Sequence, residues 1–228
     1  MSLGEQIQAT IQVFRETLPT EVNGLIEQGA GEISALNIIE NALKVGDKAP
    51  EFNLNNYDGA PRNLQGYLQD GPVVLTFYRG LWCPYCNLQL ATYNKHLQEI
   101  KNAGANLVAV SGESAEGANV VLNSQMPQEM KESIVKAPDF DVLYDENAQL
   151  GRAFGLTFKL PESHEKLMTE MMGVDLEKAV GNDEFIFSDP ATYIVGTDGI
   201  IKWAFIPNNY RKRAEAETII EELKKLKG

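Results

Sequence analysis

The segment Val73-Val74-Leu75-Thr76-Phe77-Tyr78 constrains this chain most. It is a β-branched and aromatic run bounded by Gly71-Pro72 and Gly80, which reads as a buried strand. A helix follows from about Pro84 to Lys101, then a strand at Asn106–Ser111 and a helix at Glu113–Gln125. Asp141–Tyr144 reads as a further strand before a helix through Leu150 and Phe154. Strand and helix alternating in this way predict an α/β domain with a partly parallel sheet. Thr192–Val195 and Ile200–Phe205 flank Gly196-Thr197-Asp198-Gly199, a hairpin signal in which both central residues of the turn tolerate positive φ. The last helix, 211–227, places Ile219, Leu223 and Leu226 inward.

Residues 1–44 read as a helical extension. Ile7, Ile11, Phe14 and Leu18 fall on one helical face, and Pro19 ends that run. A short second helix starts at Thr20 and is closed by Gly29 and Gly31, and Ile33 to Leu43 form a third piece. This hairpin cannot bury both faces alone, so it packs on the main domain or on a second subunit. From Val45 to Gly66, repeated Gly and Pro punctuate turns and brief strands. Residues 157–183 interrupt the alternation with a helical insert carrying Met168, Met171 and Met172, read as a lid, a subunit contact or core.

Lys plus Arg number 20 against 32 Asp plus Glu, a net charge of −12. That surface repels phosphate backbones and anionic membranes, so neither nucleic acid nor membrane is an expected partner. No apolar run is long enough to span a bilayer, and MSLGEQIQATIQVF has neither the basic start nor the apolar centre of a secretory signal. The expected compartment is the cytoplasm. The phosphate loop, dinucleotide fingerprint and nucleophile elbow are all missing.

Only two cysteines occur, Cys83 and Cys86, in Arg79-Gly80-Leu81-Trp82-Cys83-Pro84-Tyr85-Cys86. Cys83 falls before the helix or in its first turn, where free N–H groups and the helix dipole favour a thiolate. Cys86 opens a stripe with Leu90, Tyr93, Leu97 and Ile100, so it belongs to the buried face. The spacing predicts an accessible attacking sulfur and a sheltered resolving one, close enough for a disulfide. Two other readings are inert core cysteines and a zinc half-site. The half-site needs two more ligands, and only His96 and His164 exist, at no finger-like spacing. No metal and no other cofactor is expected.

Val45-Gly46-Asp47-Lys48-Ala49-Pro50-Glu51-Phe52, with Leu54, Asp58-Gly59 and Leu64, resembles the opening of the alkyl-hydroperoxide-reductase/thiol-specific-antioxidant family. Phe77-Tyr78-Arg79-Gly80 with Trp82-Cys83-Pro84-Tyr85-Cys86 resembles its peroxiredoxin-like subgroup. Val110-Ser111, Leu150-Gly151, Phe154-Gly155 and Pro190-Ala191-Thr192-Tyr193-Ile194-Val195 continue the likeness over about residues 45–226. The resemblance implies a thioredoxin-like fold with a central mixed sheet flanked by helices over 45–228. It also implies a peroxidatic Cys83 and a resolving Cys86. Pro190 would face the active-site sulfur, with a cis bond after Asp189. The implied partners are a hydroperoxide substrate and a thioredoxin- or glutaredoxin-type reductant, and a homodimer through residues 1–44 or the insert is among the expected states.

The chain also departs from that family. Peroxiredoxins carry Pro seven residues and Thr or Ser three residues before the attacking cysteine, where this chain has Thr76 and Gly80. Their peroxide-binding arginine aligns with Pro190, leaving Arg79 or Arg211 as substitutes. Trp82 and Tyr85 are candidates for an apolar docking rim around the sulfurs. His96 is expected at or near the surface and His164 in solvent. Arg211-Lys212-Arg213 reads as a solvated basic run opening the last helix. The function predicted is a thiol-dependent peroxidase. The alternatives are a general thiol–disulfide oxidoreductase acting on protein or glutathione disulfides, and a non-enzymatic redox sensor or scaffold.

Overall fold

In the computed structural model, which describes residues 1–124, 138–180 and 184–226, the expected buried strand is β3 (Val73–Phe77), with all five residues buried. The strands before it are β1 (Asn53–Asn56) and β2 (Pro61–Asn63). Those after it are β4 (Asn106–Ser111), β5 (Asp141–Tyr144), β6 (Thr157–Lys159), β7 (Ile186–Ser188), β8 (Ala191–Val195) and β9 (Ile201–Phe205). Seven of them form one mixed sheet in the order β2-β1-β5-β4-β3-β8-β9. β3 runs parallel to β4 and antiparallel to β8, and β4 runs parallel to β5. Successive side chains of a strand face opposite sides. Val73, Leu75 and Phe77 therefore join a cluster with Phe154 and Tyr193, and Val74 joins the cluster that holds both cysteines.

That second cluster lies under α4 (Pro84–Lys95), whose first residue is the proline favoured there because it has no N–H to leave unpaired. The expected stripe is buried throughout, from Cys86 through Leu90 and Tyr93 to Leu97 and Ile100. The helix itself is not continuous to Lys101. His96 takes φ −95° and ψ 5°, and α5 (Leu97–Asn102) resumes beyond it.

The extension packs on α4 and on the insert of the same chain. α1 (Leu3–Thr17) opens with a reciprocal cap between Ser2 and Glu5 and buries Leu3, Ile7 and Ile11 in the cysteine cluster. Its first two N–H groups, on Leu3 and Gly4, donate to the Glu215 carboxylate at 2.8 and 2.7 Å. α2 (Thr20–Ala35) runs through Gly29 and Gly31, contrary to the expected stop. A glycine costs a helix about 1 kcal/mol, and here a tertiary contact overrides that cost. A Cβ on Gly29 would overlap the imidazole of His164. The expected third piece shrinks to one tight turn, Ile38–Glu40.

Other boundaries also shift. A helix that the punctuation concealed, α3 (Leu64–Asp70), is capped by the Asn63 side chain accepting from Gly66 N–H. α6 (Ala115–Asn123) and α7 (Gln149–Ala153) follow β4 and β5. The insert begins as a strand, β6, paired with β7, and only then turns helical in α8 (Glu162–Lys166), a wider turn at Leu167–Met171 and α9 (Leu176–Val180). In the β8–β9 turn only Gly199 has positive φ, and the ladder shifts register by one residue at Ile194/Val195. The final helix, α10 (Ala216–Lys225), starts five residues late and leaves Leu226 exposed. The expected helix ends at Gln125 and Lys227, and the end of the insert at 181–183, lie outside the described residues.

Candidate active site

β3 delivers the chain to a short loop, and α4 begins immediately after Cys83. Two polar contacts fix the loop. Leu81 N–H donates to Glu113 Oε2 at 2.9 Å, and Asn87 Nδ2 donates to the Leu81 carbonyl at 2.8 Å. Gly80 sits at φ 145°, and a Cβ there would overlap the Trp82 indole and come within 3.1 Å of Glu113 Oε1. The missing threonine three residues before Cys83 thus has a physical reason: Trp82 fills its space.

Cys83 and Cys86 are both reduced and both buried, at 1% and 0% exposure. The expected surface exposure of Cys83 is therefore not found. The extension and the insert roof the helix N-terminus, and Cys83 instead borders an apolar cavity of about 300 Å³. Cys86 does not line it. Trp82 and Tyr85, expected as a rim, are buried walls of the same cavity.

The charge that acts on the pair comes from a residue the basic-run reading placed in solvent. Arg211 and Arg213 are both buried while Lys212 between them is exposed, an alternation characteristic of extended chain rather than helix. Arg213 Nη2 donates to Cys86 Sγ at 3.4 Å, its Nη1 donates to the Tyr210 carbonyl, and its Nε donates to Gln89 Oε1 at 2.7 Å. Gln89 Nε2 in turn donates to Thr76 Oγ1 at 2.8 Å, and that hydroxyl lies 2.9 Å from Thr192 Oγ1. Thr76 occupies the family's proline position, and here it anchors a buried polar chain that reaches the sulfur. Arg211 faces the extension instead, donating from Nη1 to both Glu27 oxygens at 3.0 and 3.2 Å, and is not beside the sulfurs.

Burial disfavours both thiolates, but not equally. Burial pushes the Cys83 thiol well up, and its hydrogen bond to Cys86 and the nearby Cys86 charge push it further. Cys86 is also buried, yet the Cys83 S–H, the Arg213 charge and the Arg79 backbone N–H at 3.5 Å outweigh that and hold it low. The two thiols interact, and the Arg213 charge favours the thiolate form of Cys86.

Arg79 reaches the cavity wall. Its guanidinium lies 4.2 Å from the Tyr210 ring centroid and 4.5 Å from that of Trp82, both cation–π contacts. Nη2 is 3.2 Å from His164 Nδ1, while Nε is buried with no hydrogen-bond partner among the described residues. His164 is buried, not solvated as expected. Burial and then the Arg79 charge lower it to about 3, so it is a neutral acceptor that holds Arg79. His96, partly exposed, bonds Glu99. Pro190 is buried just before β8, and the expected cis bond after Asp189 is not found, as no cis peptide bond occurs among the described residues. Its neighbour Asp189 is the titratable group there, raised to about 7 by burial against the opposing charges of Arg79 and Arg213. Glu113 is raised to about 8, also by burial, despite the Leu81 N–H. No group of three or more His, Cys, Asp or Glu that could hold a metal ion occurs among the described residues. No helix among them is long and apolar enough to cross a membrane.

Sequence reasoning missed Arg213, Gln89, Glu113 and Asp189. Gln89 carried a signal: three residues beyond Cys86, it places an amide beside the apolar stripe. The other three are assembled from distant segments, and no local spacing marks them.

A mixed sheet with a dithiol pair where a central strand passes into a helix defines a thioredoxin-like protein. The profile of the AhpC/TSA family matches residues 45–204, and the chain belongs to that family. Peroxiredoxin Bcp of Escherichia coli is 28% identical over 116 residues, 51% of this chain and 67% of that one. Among solved structures, peroxidoxin BcpB from Mycobacterium tuberculosis aligns over 82% of this chain and 99% of its own, at TM-score 0.56 and 19% identity. The reduced 2-Cys peroxiredoxin of Plasmodium vivax aligns over 81% and 82%, at TM-score 0.59 and 15% identity. Both are likenesses of fold.

Proposed function

We infer that the chain is a thiol-dependent peroxidase. The observation that carries this reading is the division of labour between the sulfurs: Cys83 on the cavity wall, Cys86 one turn behind it against Arg213. As a hydroperoxide meets Cys83, the Cys83 proton passes to Cys86 and the Cys83 thiolate attacks the terminal oxygen. The O–O bond breaks, and two electrons pass from sulfur to the peroxide. Cys83 becomes a sulfenic acid, and the departing alkoxide takes the proton from Cys86. Arg79 supplies positive charge where the alkoxide forms. Cys86, a thiolate again, then attacks the Cys83 sulfur. Hydroxide leaves and is protonated to water, and the disulfide forms. A thioredoxin-type dithiol returns the pair to its reduced state by exchange.

Membership of the AhpC/TSA family favours this reading over general disulfide exchange. The test is to mix pre-reduced protein with a hydroperoxide and follow tryptophan fluorescence, with Cys83→Ser alongside. A Cys83-dependent reaction far faster than a free thiol at the same pH is expected. A rate no better than the free thiol, or one unchanged in Cys83→Ser, overturns the reading.

A further inference from the structure

Both sulfurs lie under a roof, at 1% and 0% exposure, yet the cycle needs them reached by two bodies of different size. A hydroperoxide fits the cavity of about 300 Å³. A protein dithiol is far larger than that space, and exchange requires its thiolate to touch a sulfur of the pair. Part of the roof has to move between the two steps.

The fastening of the roof identifies that part. α1 is held at its start, where Leu3, Ile7 and Ile11 are buried, and α2 is held at Gly29 and Ile33. Between Ile11 and Gly29 no residue is buried. This hairpin tip, residues 12–27, carries Phe14, Leu18, Val22 and Ile26 over the cavity beside Cys83. Its inner tie is the buried Arg211, which donates from Nη1 to both Glu27 oxygens at 3.0 and 3.2 Å and from Nη2 to the Ile26 carbonyl at 3.4 Å. The other ion pair from the tip to the body of the chain among the described residues, Glu21 with Lys166 at 3.3 Å, is exposed on both sides and contributes little.

Arg211 and Arg213 lie two residues apart in a stretch, residues 206–215, that is neither helix nor strand. Arg213 Nη2 meets Cys86 Sγ at 3.4 Å, and its remaining acceptors, Gln89 Oε1 and the carbonyls of Tyr210 and Lys212, are neutral. A disulfide carries no charge. Closing it strands a buried guanidinium, and a buried charge that loses its counter-ion is strongly disfavoured. Asp189, whose charge also acts on Arg213, is raised to about 7 by burial, so at pH 6 it is mostly protonated and does not replace the thiolate. The stretch without helix or ladder is the part that can yield, and Arg211 moves with it.

Resting on the dithiol–disulfide cycle of the reading above, we propose that residues 12–27 are a redox-governed lid over Cys83, latched by Arg211 and Glu27 while Arg213 faces a Cys86 thiolate and released when the disulfide forms. The reduced protein is closed to all but small molecules. The oxidised protein opens its disulfide to a protein dithiol, and reduction restores both the thiolate and the latch. The moving segment precedes the family-matched residues 45–204, so the device belongs to the extension and leaves the first turn of α4 folded.

The test uses the full chain at pH 6, reduced or closed by diamide, and follows hydrogen–deuterium exchange by peptide mass spectrometry. Diamide takes two electrons from the sulfurs: the S–S bond forms, and the N=N bond is reduced to a hydrazine with the Cys83 proton and one from water. Peptides within 12–27 are expected to exchange at least ten-fold faster in the disulfide form, while those in 3–11 and β3 are unchanged. Glu27→Gln unties the latch at a half-exposed side chain and is expected to exchange fast in both states. Arg213→Gln removes the sensing charge, and its reduced form is expected to exchange as oxidised wild type does. Equal exchange of 12–27 in both wild-type states overturns the lid, as does faster exchange confined to residues 79–86. A redox difference that survives in Glu27→Gln overturns Arg211 and Glu27 as the latch. A pair that diamide does not close overturns the lid and the disulfide step together. Lid opening under diamide, beside a hydroperoxide reaction no faster than a free thiol's, overturns the peroxidase reading and leaves the lid standing.

Discussion

Arg213 Nη2 stands 3.4 Å from Cys86 Sγ, on a sulfur that does not border the cavity. The positive charge therefore favours the thiolate form of Cys86, the sulfur behind the one that borders the cavity. Replacing Arg213 by Gln removes the charge and keeps a donor. The lower thiol pKa of the pair is expected to rise by at least one unit, and disulfide closure near neutral pH to slow by about ten-fold for each unit. Alkylation rate against pH measures the first, and single-turnover fluorescence the second. Gln89→Leu, which unties Arg213 Nε, is expected to move both in the same direction by less. An unshifted profile in Arg213→Gln would show that the arginine does not set the thiolate.

Cys86→Ser separates attack from closure. The sulfenic acid on Cys83 is expected to form and persist, detectable by a dimedone adduct in mass spectrometry, with no disulfide. The same adduct missing from Cys86→Ser but present in Cys83→Ser would exchange the roles of the two cysteines.

Gly29 and His164 are coupled by space. Gly29→Ala is expected to destabilise the protein by about 1–3 kcal/mol, because its Cβ forces the imidazole out of position. In a His164→Ala background the same change is expected to be neutral or to stabilise by up to about 1 kcal/mol, because only the helix propensity of alanine remains. Denaturant unfolding of the four proteins closes the cycle. Equal costs in both backgrounds would refute the coupling.

Glu113 carries a pH signature. Its folded pKa, about 8, lies above the ordinary carboxylate value of 4.5. The folded state therefore binds the extra proton, and the stability it confers is present below pH 4.5 and lost as pH rises through 8. Asp189, raised to about 7, acts with the same sign. Across that window wild-type stability is expected to fall by up to about 1.4 kcal/mol per pH unit for each group. Glu113→Gln keeps the acceptor for Leu81 N–H and is expected to remove one group's share of the slope. Parallel wild-type and variant curves of stability against pH would show that Glu113 is ionised in the folded state.

The sheet and the cysteine stripe were legible because each is periodic or contiguous in sequence. Cys86, Leu90 and Tyr93 declare a buried face by their spacing alone. The roof over Cys83 was not legible. Phe14 and Leu18 share a helical face with Ile7 and Ile11, yet the inner pair is buried in the core and the outer pair lines a cavity whose other wall is at residues 168–172. Periodicity marks which residues turn inward and is silent about whether the space they meet is filled. Arg213 was hidden for a related reason. Three consecutive basic residues describe a solvated helix start unless a buried thiolate and a buried amide wait for the third.

The Glu215 carboxylate caps α1 from 212 positions away. A ribosome releases α1 roughly two hundred residues before the group that anchors its N-terminus. The nascent sheet and both sulfurs thus exist before one wall of the cavity has been fastened. Until Glu215 has been added, the first turn of α1 lacks the carboxylate that accepts from its leading N–H groups.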